Sequence, residues 1–327
     1  MRSSPLHEKP ATLRIATRKS TLALAQTESV VAALRAVHAL EIEIVSITTK
    51  GDALRDRSLT AIGGDGVFVK ELMAALQDGR ADIAVHSLKD LPTEIPAAVD
   101  AGVVPRRADA RDVLLSAHNQ YPRIDALPQG ATVGTSSLRR AAQLRLRRRD
   151  LDIVPLRGNV DSRVGKVLEG ACHAAVLALA GMQRIDLLGL VGGGTPLEYD
   201  VMVPAAGQGA LYVQCRADDR VTAELIASLQ HEPSALATNL ERSFLQRCGG
   251  GCVVPLGIHV EPVEPGPPHA LAWSLHACIA STDGTRSVRR HVRVTAADAA
   301  EARLQVEAIA DEMLAAGGRQ IIAAGAA

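Results

Sequence analysis

Three polar clusters stand where apolar, strand-like runs end: His86-Ser87-Leu88-Lys89-Asp90, Gly134-Thr135-Ser136-Ser137-Leu138-Arg139-Arg140 and Leu156-Arg157-Gly158-Asn159-Val160-Asp161-Ser162-Arg163. The second has the strand–turn–helix form of an anion site. Free N–H groups at a helix start, with three hydroxyls beside them, favour a carboxylate or a phosphate. Arg139 and Arg140 add cations that grip carboxylates in bidentate fashion, and Arg157 and Arg163 add two more. Arg18 and Ser20, after the first strand-like run, supply another pair. A serine-rich turn before a helix is by itself only a cap. The repetition of such signals at successive strand ends is what points to a polyanionic ligand. In an open α/β sheet these ends share one destination, a cleft outside the carboxyl ends of the strands.

Two further residues could carry reaction chemistry. Asp90 sits beside Lys89 among cations and should stay ionised. It suits the stabilisation of a cationic intermediate or the movement of a proton, although a salt bridge or a helix cap is the simpler reading. Cys252 stands in Gly-Gly-Gly-Cys-Val-Val-Pro-Leu-Gly, where glycines let the backbone approach a ligand closely. Its thiol suits a nucleophile or an attachment point, with a free structural cysteine an equal reading. The five cysteines are odd in number and scattered, which is no disulfide framework. Cys248 and Cys252 form the one close pair and lack a second pair, so no zinc site is expected. The run Arg145 to Arg149 reads as a solvated helix face.

The elements that must hold these residues alternate. Leu13 to Ala16 reads as a strand. Ser20 or Thr21 caps a helix whose Ala23, Val30, Leu34 and Val37 share one face. Glu41 to Ile47 alternates as a strand. Thr49 to Gly66, rich in glycine and charge, reads as a mobile loop that covers the cleft. Val67 to Gln77 is a helix and Asp82 to Val85 a buried strand. Strands at Thr132 to Gly134, Asp152 to Leu156 and Ala174 to Leu179 form a second unit. Gly192 to Gly194 is a loop, Pro204 to Gly209 a turn-rich crossing, and Ala210 to Cys215 a strand. From about Glu232 a helix leads to the glycine run, then strands at Leu271 to Ala280 and Ser287 to Val294 precede a helix at Ala297 to Ala316. The alternation argues for α/β layers with largely parallel sheets.

The bulk numbers set limits. A chain of 327 residues exceeds one ordinary core. Apolar residues make up 47% and aromatics 2%, so the cores are aliphatic. Lys plus Arg equals Asp plus Glu at 36 each, so the global basic footprint of a nucleic-acid binder is missing. No apolar run reaches the length of a membrane span, and the polar start lacks a signal-peptide core. The expectation is a cytoplasmic protein.

In order, ATRKSTLALAQ, TTKGD, GVFVKEL, ADIAVHSLKDLPTEIP, GTSSLRRAAQL, LRGNVDSRVGKV, ALAGMQRI, PAAGQGAL and GGGCVVPLG resemble the porphobilinogen deaminase family from about residue 12 to 260, and more loosely beyond. The resemblance implies two periplasmic-binding-protein-like α/β lobes and a smaller C-terminal α/β domain with an antiparallel sheet. The expected boundaries are 1–105 with 206–228, then 106–205, then 229–327. It implies a transferase of haem biosynthesis, hydroxymethylbilane synthase. Porphobilinogen units join head to tail with loss of ammonia, giving 1-hydroxymethylbilane on a covalent dipyrromethane. Cys252 would carry that dipyrromethane and Asp90 would be catalytic. Arg18, Ser20, Lys89, Thr135, Ser136, Ser137, Arg139, Arg140, Arg157, Gly158, Arg163, Arg184 and Gln208 would bind cofactor and substrate, with Asp65 and Phe68 in a lid. Porphobilinogen is the implied partner of a monomer, with no metal, nucleic acid or membrane. The chain departs from the family pattern at Asp65, where many members have lysine, and at Asp161, where a small residue is common. A solute-binding protein and a LysR-type effector domain are the rival readings. The GGGC motif and the absent signal peptide count against the first. The absence of a helix-turn-helix counts against the second.

Overall fold

The computed structural model describes residues 12–49, 66, 69–250, 254–263 and 271–325. Asp65, Phe68, Cys252 and nearly all of the expected Thr49 to Gly66 loop lie outside the described residues.

The chain begins with β1 (Thr12–Arg18), whose alternating Leu13 and Ile15 are fully buried. Ser20 then caps α1 (Thr21–Val37), its Oγ accepting from Ala23 N at 3.3 Å. Ala23, Val30, Val31 and Leu34 form the buried face, but Val37 is 61% exposed. The helix stops there, with His38 N–H closing on the Leu34 carbonyl, and its last turn lies open to solvent. β2 (Glu41–Ile47), α2 (Lys70–Gln77), β3 (Ile83–Ser87) and β4 (Ala101–Val103) follow. The chain then leaves for a second sheet of β5 (Asp112–Leu115), β6 (Thr132–Gly134), β7 (Asp152–Val154), β8 (Ala174–Ala178) and β9 (Thr195–Leu197). Helices α3 (Leu138–Arg147), α4 (Val160–Leu168) and α5 (Leu179–Arg184) connect these strands. It returns to the first sheet with β10 (Leu211–Cys215).

The two sheets share one plan, β2-β1-β3-β10-β4 and β7-β6-β8-β5-β9. In each, four strands run in one direction and the fourth in the order, β10 or β5, is antiparallel to its neighbours. That fourth strand is the first one after a crossing between lobes, β5 on the way out and β10 on the way back. The sheets are therefore mixed rather than simply parallel, because each lobe admits the returning chain as a strand. This is the binding-protein-like arrangement of two α/β lobes. α1 covers one face of the first sheet and α2 the other, so β3 is apolar on both faces, as buried parallel strands are.

After α6 (Arg220–Ala227) the long α7 (Glu232–Arg247) leads into an antiparallel sheet of β11 (Leu256–Pro262), β12 (Leu271–Ala280) and β13 (Ser287–Ala296), followed by α8 (Ala299–Met313) and α9 (Arg319–Gly325). Phe244, Leu275, Val306 and Met313 fill the space between that sheet and its helices. The other sheet face sets Cys278 and Ala280 against Ala142 and Val203 of the second lobe. Arg145 to Arg149 is only in part the solvated face expected: Arg147 and Arg149 are exposed, but Arg145 and Arg148 are drawn in. Arg145 donates to Thr282 O, and Arg148 donates to the carbonyls of Ile124, Leu127 and Pro128 and to Asp150, tying down a bend. No described helix is long and apolar enough to cross a membrane.

Candidate active site

The cleft is built from strand ends. β3 runs into a short helical turn, Leu88–Asp90, which presents Lys89 and Asp90. Both are half-buried. Across from them, β6 ends at Thr135, whose Oγ1 accepts from Ser137 N at 3.2 Å, and Ser137 caps α3 through Arg140 N. Ser136 donates to Leu156 O at 3.0 Å, which holds the turn against the neighbouring strand end. Ser20 and Ser137 thus serve as helix caps, each with its Oγ accepting a backbone N–H of its helix.

The centre of the site is a residue that the cluster reading did not include. Asp112, at the head of β5, is fully buried and accepts from Arg139 at 2.6 Å and from Arg140 at 2.7 and 3.0 Å. Burial alone would push this carboxyl up, but the two guanidiniums override it and hold it well below the usual carboxylate range. Gln208, also fully buried, donates to Asp112 at 2.9 Å and to Ala110 O, and its Oε1 accepts from Lys89 Nζ at 3.4 Å. One hydrogen-bonded chain therefore runs from the first lobe, through the returning crossing, to the second.

This chain leaves positive charge over. Lys89, Arg139, Arg140 and Arg163 face Asp90 and Asp112. Burial brings Lys89 down to about 8, with Asp90 opposing and Arg140 reinforcing the shift. Burial likewise brings Arg163 down to about 10, again with Arg140 adding to it and Asp90 against it. Burial is the main cause of both shifts, and a further carboxylate placed beside these groups would oppose it. Gly158 supports Arg163: its carbonyl accepts from Arg163 Nε at 2.8 Å, and its φ of 110° is one that side chains rarely adopt. A Cβ there would come within 2.7 Å of Ser162 Oγ. Arg18 closes β1 and Arg157 follows β7, both half-buried. Arg184 is not brought into this cluster. Its guanidinium donates to Gly209 O at 2.7 Å and lines a cavity with Ser29, Arg106 and Leu229 instead.

A second pair missed from sequence lies at the crossings. Glu241 of α7, fully buried, accepts from Arg107 at 2.7 and 3.0 Å, from Gly207 N at 2.7 Å and from Val260 N at 2.8 Å. Arg107 and Gly207 lie on the two opposite crossings, so one carboxylate of the third unit holds both. The buried face of α7 also carries Ser234, Thr238 and Ser243, so Glu241 did not stand out in the sequence.

The four cysteines at 172, 215, 248 and 278 are all buried. Burial pushes the Cys248 thiol up to about 12 and Cys215 to about 11. They are poor thiolates at neutral pH.

Two family models match the chain: "Porphobilinogen deaminase, dipyromethane cofactor binding domain" over residues 13–224, and "Porphobilinogen deaminase, C-terminal domain" over 235–315. The chain belongs to the porphobilinogen deaminase family. Among its relatives, the porphobilinogen deaminase of Burkholderia thailandensis is 44% identical over 96% of this chain and 93% of its own length, as is that of Burkholderia pseudomallei strain 1106a. The second substrate-binding domain of Lactococcus lactis GlnP aligns with 68% of this chain and 89% of its own at 12% identity, with a TM-score of 0.41, a likeness too slight to bear weight.

Asp112 yields a test with a defined sign. Its folded pKa lies below the ordinary value of about 4, so the stability it contributes is present above that value and is lost as pH falls through the folded one. Asp112→Asn should cost about 3–5 kcal/mol at neutral pH, since it strands two buried guanidiniums. Urea unfolding of both proteins between neutral and acid pH checks this: the gap should close on the acid side.

Proposed function

We propose that this chain joins four porphobilinogen molecules head to tail, with release of ammonia, into 1-hydroxymethylbilane for haem biosynthesis. The observation that carries the reading is the gathering of Lys89, Arg139, Arg140 and Arg163 around Asp90 and Asp112. Each pyrrole brings two carboxylates, so a growing chain supplies negative charge that matches such a cationic cleft. The residues thus fit a dipyrromethane. Cys252 would hold it by a thioether, which the GGGCVVPLG motif and the burial of Cys248 support. Bound there, the group supplies the free pyrrole carbon at which the chain is extended.

The chain's own residues do the rest. Arg139 and Arg140 spend part of their charge on Asp112 and turn the remainder toward substrate carboxylates. Arg163, Arg157, Arg18 and Lys89 bind further carboxylates, and the caps at Ser20, Ser137 and Thr135 offer N–H and O–H donors. Asp90, set among cationic side chains, stabilises positive charge on the pyrrole nitrogen and accepts a proton at its carboxylate oxygen. Charge of this kind counts most in the transition state of a site shielded from water. We further propose units at 1–105 with 206–228, 106–205 and 229–327, acting as a cytoplasmic monomer without membrane or nucleic-acid partners; the zero net charge supports the last point.

Asp90→Asn should keep the fold and the attached cofactor but lower turnover by about 100- to 1000-fold. Steady-state conversion of porphobilinogen checks it, and near-normal turnover would remove Asp90 from its role. Intact mass after incubation with porphobilinogen tests the attachment. The wild-type chain and Cys248→Ser should gain two linked pyrrole units, and Cys252→Ser should gain none.

A further inference from the structure

His259 of β11 is 3% exposed and stands at the joint between the third unit and the crossings. Its ring packs on Tyr199 with centroids 4.1 Å apart. Neither ring nitrogen makes an aligned hydrogen bond. Each instead faces a carboxylate: Nδ1 lies 3.3 Å from Glu241 Oε1, and Nε2 lies 3.5 Å from Glu261 Oε2. A neutral imidazole here would turn a lone pair toward one of these anions. Only the imidazolium offers an N–H to both.

We infer that His259 is a positioning residue for the reaction: as an imidazolium it ties Glu241 to Glu261, and through Glu241 it steadies the two crossings that carry Gln208 beneath Lys89. The relay is short. Glu241 holds Arg107 and Gly207 N, and Arg107 Nε donates to Gln208 O at 2.8 Å. The side chain of Gln208 then joins Lys89 to Asp112. The inference rests on the proposed function for its kinetic part only.

The groups facing the ring come from every packed element. They are Glu241 on α7, Glu261 on its own strand, Arg107 and Asp109 on the outgoing crossing, Tyr199 after β9, and His276, its partner in register on β12. Burial and Arg107 work against the charged form, but the two glutamates outweigh them and raise His259 above its ordinary value. With a raised folded pKa, the clamp is present at lower pH and is lost as pH rises through that value.

Two measurements on the full-length holoenzyme test this. An NMR titration of the His259 ring should give a midpoint above the free value of about 6.5, and Glu261→Gln should lower it. His259→Gln should lower kcat/KM by about two- to thirtyfold at the acid end of the activity range. The ratio of wild type to variant should then fall toward one as pH rises through the His259 midpoint, while the titration of Lys89 cancels in the ratio. A midpoint at or below 6.5, or a ratio that does not change with pH, would overturn the inference. If His259→Gln does not fold, Glu261→Gln takes its place, with the loss displaced to lower pH. A raised midpoint in a protein that does not turn over porphobilinogen would refute the proposed reaction and leave only the clamp.

Discussion

The Asp112 carboxylate, shared by two guanidiniums in the floor of the cleft, is the constraint on which the rest of the structure depends. A buried carboxylate with no partner would be costly, and so would either arginine alone. Together they are stable, and they leave one positive charge unmatched. That surplus is the functional point. A fully neutralised cluster would brace the second lobe but would attract nothing. Here the second arginine, with Lys89 and Arg163, keeps the cleft in want of anions, and the protein as a whole stays neutral. The same cluster fixes geometry, since Gln208 takes its place by bonding to Asp112 and in turn receives Lys89.

Glu241 performs a comparable task one layer back. Its pKa, which burial alone would raise, is brought down to about 2, with Arg107 the main cause and His259 adding to it. It grips an arginine from the outgoing crossing and a backbone N–H from the returning one. The third unit is therefore tied to the hinge by a charged contact as well as by the apolar packing of Cys278 and Ala280 on Ala142 and Val203. Since α7 carries Glu241 and then leads toward the GGGC segment, the helix that precedes Cys252 in the chain is fixed to the same crossings that carry Gln208.

Much of this was legible in the chain, and the failures have physical causes. β1, β2, α1, α7 and the two long strands of the third unit were readable because alternation, a serine cap or a helical apolar face marks them locally. β4, β5 and β9 were not. They are three or four residues long and exist because a neighbouring strand offers a place to pair. Ala180 and Gly181 looked like a strand end but lie in α5, where Gly181 packs closely by Leu22 of α1. Among site residues, the strand-end clusters declared themselves by composition. Asp112 and Glu241 did not, because the arginines that explain them stand 27 and 134 residues away. Buried ion pairs leave no periodic trace. Arg184 stands apart from the ion-paired cluster, with its guanidinium donating to Gly209 O.

The central claim is that the cleft holds a surplus of desolvated positive charge which pyrrole carboxylates neutralise. Lys89 reports that charge directly. Its ammonium, brought down to about 8 by burial, can be followed by NMR with carbon-labelled lysine in the apo protein and again after loading with porphobilinogen. Neutralising carboxylates beside it should raise its pKa toward the ordinary lysine value of about 10.4. A pKa that stays near 8 or falls on loading would contradict the account, because the bound chain would then be buried near Lys89 without supplying the charge that the cleft lacks.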